Sequence, residues 1–274
     1  PLRELRSMIA QFNCRSNTRE AEKSVVTMMK DALGLDSSGR RKLGGGFLSI
    51  EMSMKEDSPR HVRRPFEEDL LRAVVCPHCG LDHAVFGLAI WCADCGVDIF
   101  MEHVKAEYDV VRSMLTDIER RRSDLGPRIA ARDIENCLED VVSIFEAVLK
   151  VMLSRHLRTA GESEENIHAL FKDRIRNGFQ NPKRAMEIIK KRTQRELFDG
   201  IPAEDVQQLN VTFDKRHPIT HNLGIIDRKY LENAYAAERE GREIRVTEEE
   251  IEIAISVSFN ALSSLHLRLF QETP

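Results

Sequence analysis

ARDIENCLEDVVSIFEAVLKVM, residues 131–152, decides the architecture of this chain. Within it Ile134, Leu138, Val141, Phe145, Val148 and Met152 recur at spacings of three and four. That is the period at which one face of an α-helix meets a core. Working toward the C-terminus, the same signal repeats. Ser163 is a suitable N-cap for a helix running to Asn177, and Pro182 opens a third helix to about Phe198. Pro202 opens a fourth, carrying Val206 and Leu209. A fifth spans Thr247 to Gln271, with Thr247 and Glu250 at capping-box spacing and Ile251, Ile255, Phe259, Leu262, Leu265 and Leu269 as its apolar stripe. Amphipathic helices gathered in one segment predict a helical bundle over residues 127–274.

Working toward the N-terminus, Gly126-Pro127 ends a helix expected over 101–126. Met101, Val104, Tyr108, Val111, Leu115 and Ile118 form its seam, too short for a free-standing coiled coil and able to pack on the bundle or on a second copy of the chain. Residues 1–100 read as an α+β module. Asn17 to Gly34 has helical signals, Asp36 to Gly46 is a flexible connection, and Phe47 to Met54 alternates as a strand. Ser58 to Pro65 is a loop whose Arg60, Arg63 and Arg64 either contact phosphate or lie on the surface.

The most specific local pattern is Cys76-Pro-His-Cys79-Gly80 and Cys92-Ala-Asp-Cys95-Gly96, two matched knuckles with twelve residues between them. Zinc takes four soft or borderline ligands in a tetrahedron, and two intervening residues let one tight turn present two sulfurs to one ion. His83 to Trp91 is apolar enough for a short hairpin between the knuckles, the layout of a zinc ribbon over 76–95. A redox dithiol needs one such pair rather than two, and an iron–sulfur cluster is the other competitor. A complete cysteine set leaves no coordination position open, so the zinc expected is structural, with His78 and His83 spare. Of the remaining cysteines, Cys137 lies in an apolar helical stretch and Cys14 has no evident partner. The pattern is not that of a disulfide-stapled secreted domain.

The 274 residues suit two domains, and a 42% hydrophobic, 31% charged composition can bury a real core. No apolar run approaches the length of a membrane helix and Pro1 to Arg6 leads into a polar stretch, so no membrane and a cytoplasmic location are expected. The net charge of −4 carries no global basic signature, yet Lys172 to Glu196 holds nine Lys/Arg against three acids. Such a run is either a solvated helix face or a local phosphate-binding patch, with Lys190, Lys191 and Arg192 its densest part. No phosphate loop with Lys-Ser/Thr and no G-x-S-x-G elbow is present.

One further cluster carries chemistry. In Phe213-Asp-Lys-Arg216-His217-Pro218-Ile-Thr-His221-Asn222, the two histidines are four residues apart and would share a helix face. Arg216 and His221 would lie about 140° apart on a regular helix. Pro218 removes a hydrogen bond and disfavours helical geometry at His217, which suggests a kink that could swing Arg216 toward His221. The Arg-His-rich helix start could also simply cap a helix and bind anions.

Arg216, His217 and His221, read as R-x4-H, together with the Asn222 to Tyr230 run that follows, resemble the HEPN superfamily over about residues 128–274. The resemblance implies a mainly α fold: a HEPN-like helical bundle preceded by the small α+β zinc-ribbon domain and a connecting helix. It implies a metal-independent endoribonuclease in which the RNA's own 2′-hydroxyl attacks the adjacent phosphate. His221 would be the general acid/base, Arg216 would stabilise the phosphorane and His217 would orient or assist. It further implies a homodimer through this domain and a role as a bacterial antiviral-defence or toxin effector. RNA contact by Lys190, Lys191, Arg192 and Asn222 follows from that reading, with the zinc-ribbon module sensing or docking a protein or nucleic acid. Two alternatives stand beside it: a non-catalytic HEPN adaptor, and a zinc-ribbon DNA-binding regulator whose binding maps before Pro127.

Overall fold

The computed structural model describes residues 72–85, 88–234 and 239–271. The expected helix over 17–34, the connection over 36–46, the strand over 47–54, the arginine loop over 58–65 and Cys14 lie outside the described residues. The chain divides into two compact units, with the boundary between His103 and Val104.

In the first unit, β1 (Arg72–Val75) pairs antiparallel with β2 (Asp82–Val85), Arg72 opposite Val85 and Val75 opposite Asp82. This hairpin encloses the first cysteine knuckle instead of lying between the two knuckles as expected. The second knuckle is closed in the same way by a bridge between Trp91 and Asp98 and by the Ile99 amide donating to the Ile90 carbonyl at 2.9 Å. The buried core here is small: Val74, Cys76, Cys92 and Ile99, with Cys79, Leu81, Ala89 and Cys95 packed on it.

Helix α1 (Phe100–Thr116) carries the predicted seam, with Val104, Tyr108, Val111 and Leu115 buried. From Val104 onward it belongs to the helical unit and is not a separate connector over 101–126. The reason is a partner: Tyr108 meets Phe259 edge to face at 6.3 Å and Arg112 pairs with Glu252 at 3.1 Å, both on the last helix, α9 (Glu248–Phe270). The stretch is also not one helix. It breaks at Asp117 before α2 (Ile118–Leu125). The Ser113 and Thr116 hydroxyls donate to the carbonyls of Asp109 and Ser113, both at 2.8 Å, and such back-bonding bends helices.

Gly126 at φ +96° turns the chain and Pro127 starts α3 (Pro127–Thr159), whose buried face includes the whole predicted stripe from Ile134 to Met152. Next comes α4 (Glu164–Ala169), capped by the Ser163 hydroxyl. It does not continue to Asn177 as an α-helix: Leu170–Ile175 is a π-helix, ended at Arg176 (φ +50°, ψ −118°). A 3-10 turn (Gly178–Gln180) leads to α5 (Pro182–Thr193), which stops before Phe198 because Gln194 adopts a left-handed cap. After Pro202 follow α6 (Ala203–Asp214), α7 (Arg216–His221) and α8 (Arg228–Ala234).

Phe145 of α3 stacks edge to face on Phe213 at 5.5 Å and Glu139 accepts from Thr220 at 2.7 Å, so α6 and α7 run antiparallel to α3. Asp199 reaches Arg268 and Lys215 reaches Glu250, so the same segment runs antiparallel to α9. Cys137 is fully buried in α3, where desolvation pushes its thiol up to about 11. By length and composition alone, α9 departs from the expectation that nothing approaches a membrane span. In this fold Ile251, Ala254, Ile255, Ala261, Leu262 and Leu265 bury that apolarity, and the helix packs on α3 and α6.

Candidate metal centre and histidine site

Each knuckle folds on itself in the same way. The Gly80 and Gly96 amides donate to the Cys76 and Cys92 carbonyls at 2.9 Å, and the Cys76 and Cys92 amides donate to the Leu81 and Val97 carbonyls. Gly80 and Gly96 sit at φ +72° and +73°, the left-handed region where a side chain is strained, which is why glycine follows each pair. The four sulfurs of Cys76, Cys79, Cys92 and Cys95 all lie within 4.8 Å of one another. Cys76 is 3.7 Å from Cys95 and Cys79 is 3.5 Å from Cys92, far longer than a disulfide. A tetrahedron with metal–sulfur bonds of about 2.3 Å has edges of about 3.8 Å. The amides of Cys79 and His78 help to pull the Cys76 thiol down to about 7. At Cys79 the Leu81 amide acts in the same sense, but desolvation and the crowding of the Cys92, Cys76 and Cys95 sulfurs push that thiol up to about 12. Four thiolates at this spacing need a cation among them, so this quartet could hold a metal ion.

The second site is built by α7. Pro218 does not kink the motif between Arg216 and His221; it lies inside the first turn of α7, where a missing amide is tolerated, and the break falls before Arg216, at Lys215. Lys215 is 6% exposed, and its ammonium donates to the Arg245 carbonyl at 2.7 Å and to Glu250 at 2.5 Å. The other oxygen of Glu250 accepts the Thr247 amide at 2.9 Å, completing the predicted capping box of α9. One carboxylate thus ties the turn before Arg216 to the start of α9.

On α7 the helical spacing holds. The His217 and His221 rings lie 5.1 Å apart, and His217 Nε2 faces Asp227 at 3.6 Å. Asp227 is fixed by the Tyr230 amide at 2.8 Å and the Asn222 side-chain amide at 2.6 Å, and the Tyr230 amide first, then Asn222, hold its carboxyl below the ordinary range. Burial first, then the Lys229 charge, hold His217 below its usual value against the opposing pull of Asp227. Arg216 goes elsewhere: its Nη1 donates to the Gln180 side-chain oxygen at 2.9 Å, and Gln180 in turn donates to Glu146 at 2.7 Å. The expected swing of Arg216 toward His221 does not occur, because both residues keep their helical faces.

Sequence reasoning missed Asp227, Gln180 and Glu146. An Asn-x4-Asp spacing was present for the first, whereas the other two are brought in only by tertiary packing. Lys190, Lys191 and Arg192 are not beside the motif. The N-terminal end of α5 meets the end of α6, through Asn181 to Asp214 and the Lys183 amide to Asn210. The three basic residues lie about 10–14 Å further along the helix axis, and Lys190 is paired with Glu196 at 2.6 Å. Comparison with family models, with curated proteins and with solved structures finds no match for this chain.

Proposed function

We propose that the cysteine quartet holds a structural zinc ion and that the helical unit is a metal-independent endoribonuclease of HEPN type, acting as a bacterial defence or toxin effector. The observation that carries the nuclease reading is the histidine pair of α7, two imidazoles 5.1 Å apart in different surroundings, one partly buried against Asp227 and one exposed. Cleavage by an internal 2′-hydroxyl needs one group to take a proton and another to give one. His217, held toward its neutral form, takes the 2′-hydroxyl proton. A carboxylate facing Nε2 favours the tautomer with its proton there and leaves Nδ1 to accept. The 2′-oxygen attacks phosphorus, the bond to the 5′-oxygen breaks, and His221 protonates that leaving oxygen. The products are a 2′,3′-cyclic phosphate and a free 5′-hydroxyl. Among the described residues Arg216 bonds the neutral side-chain amide of Gln180 and no acid, so its charge remains available to a phosphate. Homodimerisation through the helical unit and docking by the zinc-ribbon module complete the proposal.

A second reading, a non-catalytic adaptor, is favoured by one observation: the Arg216 guanidinium is tied to Gln180 and does not share a partner with His221. Labelled RNA incubated with the protein in EDTA separates the two. The nuclease reading expects cleavage that resists chelation and falls by about 10²–10⁴-fold in His217→Ala and His221→Ala. Intact RNA under all conditions, with both variants folded, leaves the adaptor.

A further inference from the structure

A concavity lies beside the π-helix, and none of its lining residues belongs to the histidine site. Leu157 at the end of α3, Glu162, Asn166, Leu170, Arg174 and Arg192 at the end of α5 surround a cavity of about 520 Å³, within the range of small-molecule sites. π-turns occur disproportionately at functional sites, because the extra residue widens the helix and redirects side chains.

Several arginines of the helical unit are committed to acids: Arg158 to Glu164 at 2.5 and 3.0 Å, Arg121 to Asp133 at 2.5 Å, Arg268 to Asp199 at 3.2 Å. Others are not, and this cavity brings two of those together. Among the described residues, Arg174 and Arg192 have neither an ion pair nor a hydrogen bond. Two guanidiniums therefore line one concavity with their donors unused, and a guanidinium fork matches the oxygens of a phosphate. The carboxylates of the cavity are Glu162, which accepts from the Asn166 side chain at 3.1 Å, and Asp173. They are acceptors suited to hydroxyl or amino groups. Exposed Lys172 and Lys191 flank the arginines in sequence and add to the local positive field.

We propose that this cavity binds a small phosphorylated organic ligand. Arg174 and Arg192 hold the phosphate, Glu162 and Asp173 accept from hydroxyl or amino groups on the ligand body, and Leu157 and Leu170 supply the apolar wall. The site is separate from the histidine pair, and the proposal does not rest on the nuclease reading.

The test is calorimetric titration of the full chain with adenosine monophosphate, ribose phosphate, inorganic phosphate and adenosine. The expected result is saturable binding of at least one phosphate-bearing probe, weakened by about tenfold or more in each of Arg174→Ala and Arg192→Ala and retained in Arg216→Ala and His221→Ala. Preference for the nucleotide over the sugar phosphate identifies the class of ligand body. Circular dichroism verifies that the two cavity variants fold, as expected for side chains that bond nothing. The proposal is overturned if no phosphate-bearing probe saturates at millimolar concentration, or if adenosine binds as tightly as its monophosphate. It is overturned equally if binding survives in the Arg174→Ala/Arg192→Ala double variant, or is lost only in Arg216→Ala or His221→Ala.

Discussion

Replacing Lys215 with alanine will destabilise the helical unit by about 3 kcal/mol. The side chain is nearly buried and its ammonium holds two acceptors at once, the Arg245 carbonyl at 2.7 Å and Glu250 at 2.5 Å. Removing it leaves the carbonyl without that donor, worth about 1 kcal/mol, and a carboxylate whose side chain is only 20% exposed without its counter-ion. Breaking a buried pair from one side costs about 3–5 kcal/mol. The lower end applies because Glu250 keeps the Thr247 amide and some water. For a unit of this size that corresponds to a fall in melting temperature of roughly 6–12 °C. Thermal and urea denaturation followed by far-UV circular dichroism measure it. Lys215→Met with Glu250→Gln completes a double-mutant cycle, in which a coupling above about 1 kcal/mol is expected. A loss below about 1 kcal/mol in Lys215→Ala, or strict additivity in the cycle, would refute the claim that this buried pair fixes the turn before Arg216.

Elemental analysis of the purified protein will find one zinc per chain, and Cys92→Ser will abolish it. Because the described first unit buries so few side chains besides its cysteines, chelation will expose residues 72–103 to hydrogen exchange while the helical unit melts as before. Asp227→Asn will lower the titration midpoint of His217 in NMR spectra, since Asp227 opposes the downward pull of burial and Lys229. His217 already favours its neutral form when folded, so it contributes stability above its ordinary value of about 6.5 that is lost as pH falls below it. The variant will steepen that loss, and an unchanged acid limb of the melting profile would count against the assignment.

What was legible in the sequence was local or periodic. The knuckles could be read because turn, ligand and glycine lie within five residues of one another. Helices α3 and α9 could be read because a stripe of apolar residues and a Thr247–Glu250 box declare themselves within a few turns. His217 and His221 followed from helical spacing alone. The misreadings came from competition between near-equal local states. Pro218 looked like a kink, yet the first turn of α7 accommodates it. Leu170 to Ile175 fits α and π geometry alike in composition. The partners of Lys215 and Arg216 were illegible for a different reason: Glu250 and Gln180 lie 35 and 36 residues away, and only packing decides that they meet.

The wide turn at Leu170–Ile175 also makes a statement about insertions and deletions. A π-turn is an α-helix that has absorbed one surplus residue, so trimming a single residue there would let the ordinary ladder close. Residues beyond it would keep their faces. A deletion in the regular turns of α4 would instead rotate everything downstream by about 100° about the axis. Ile175 would then leave the interior and Arg174 its concavity, so the wide turn is the one place in this segment able to take up a change of length.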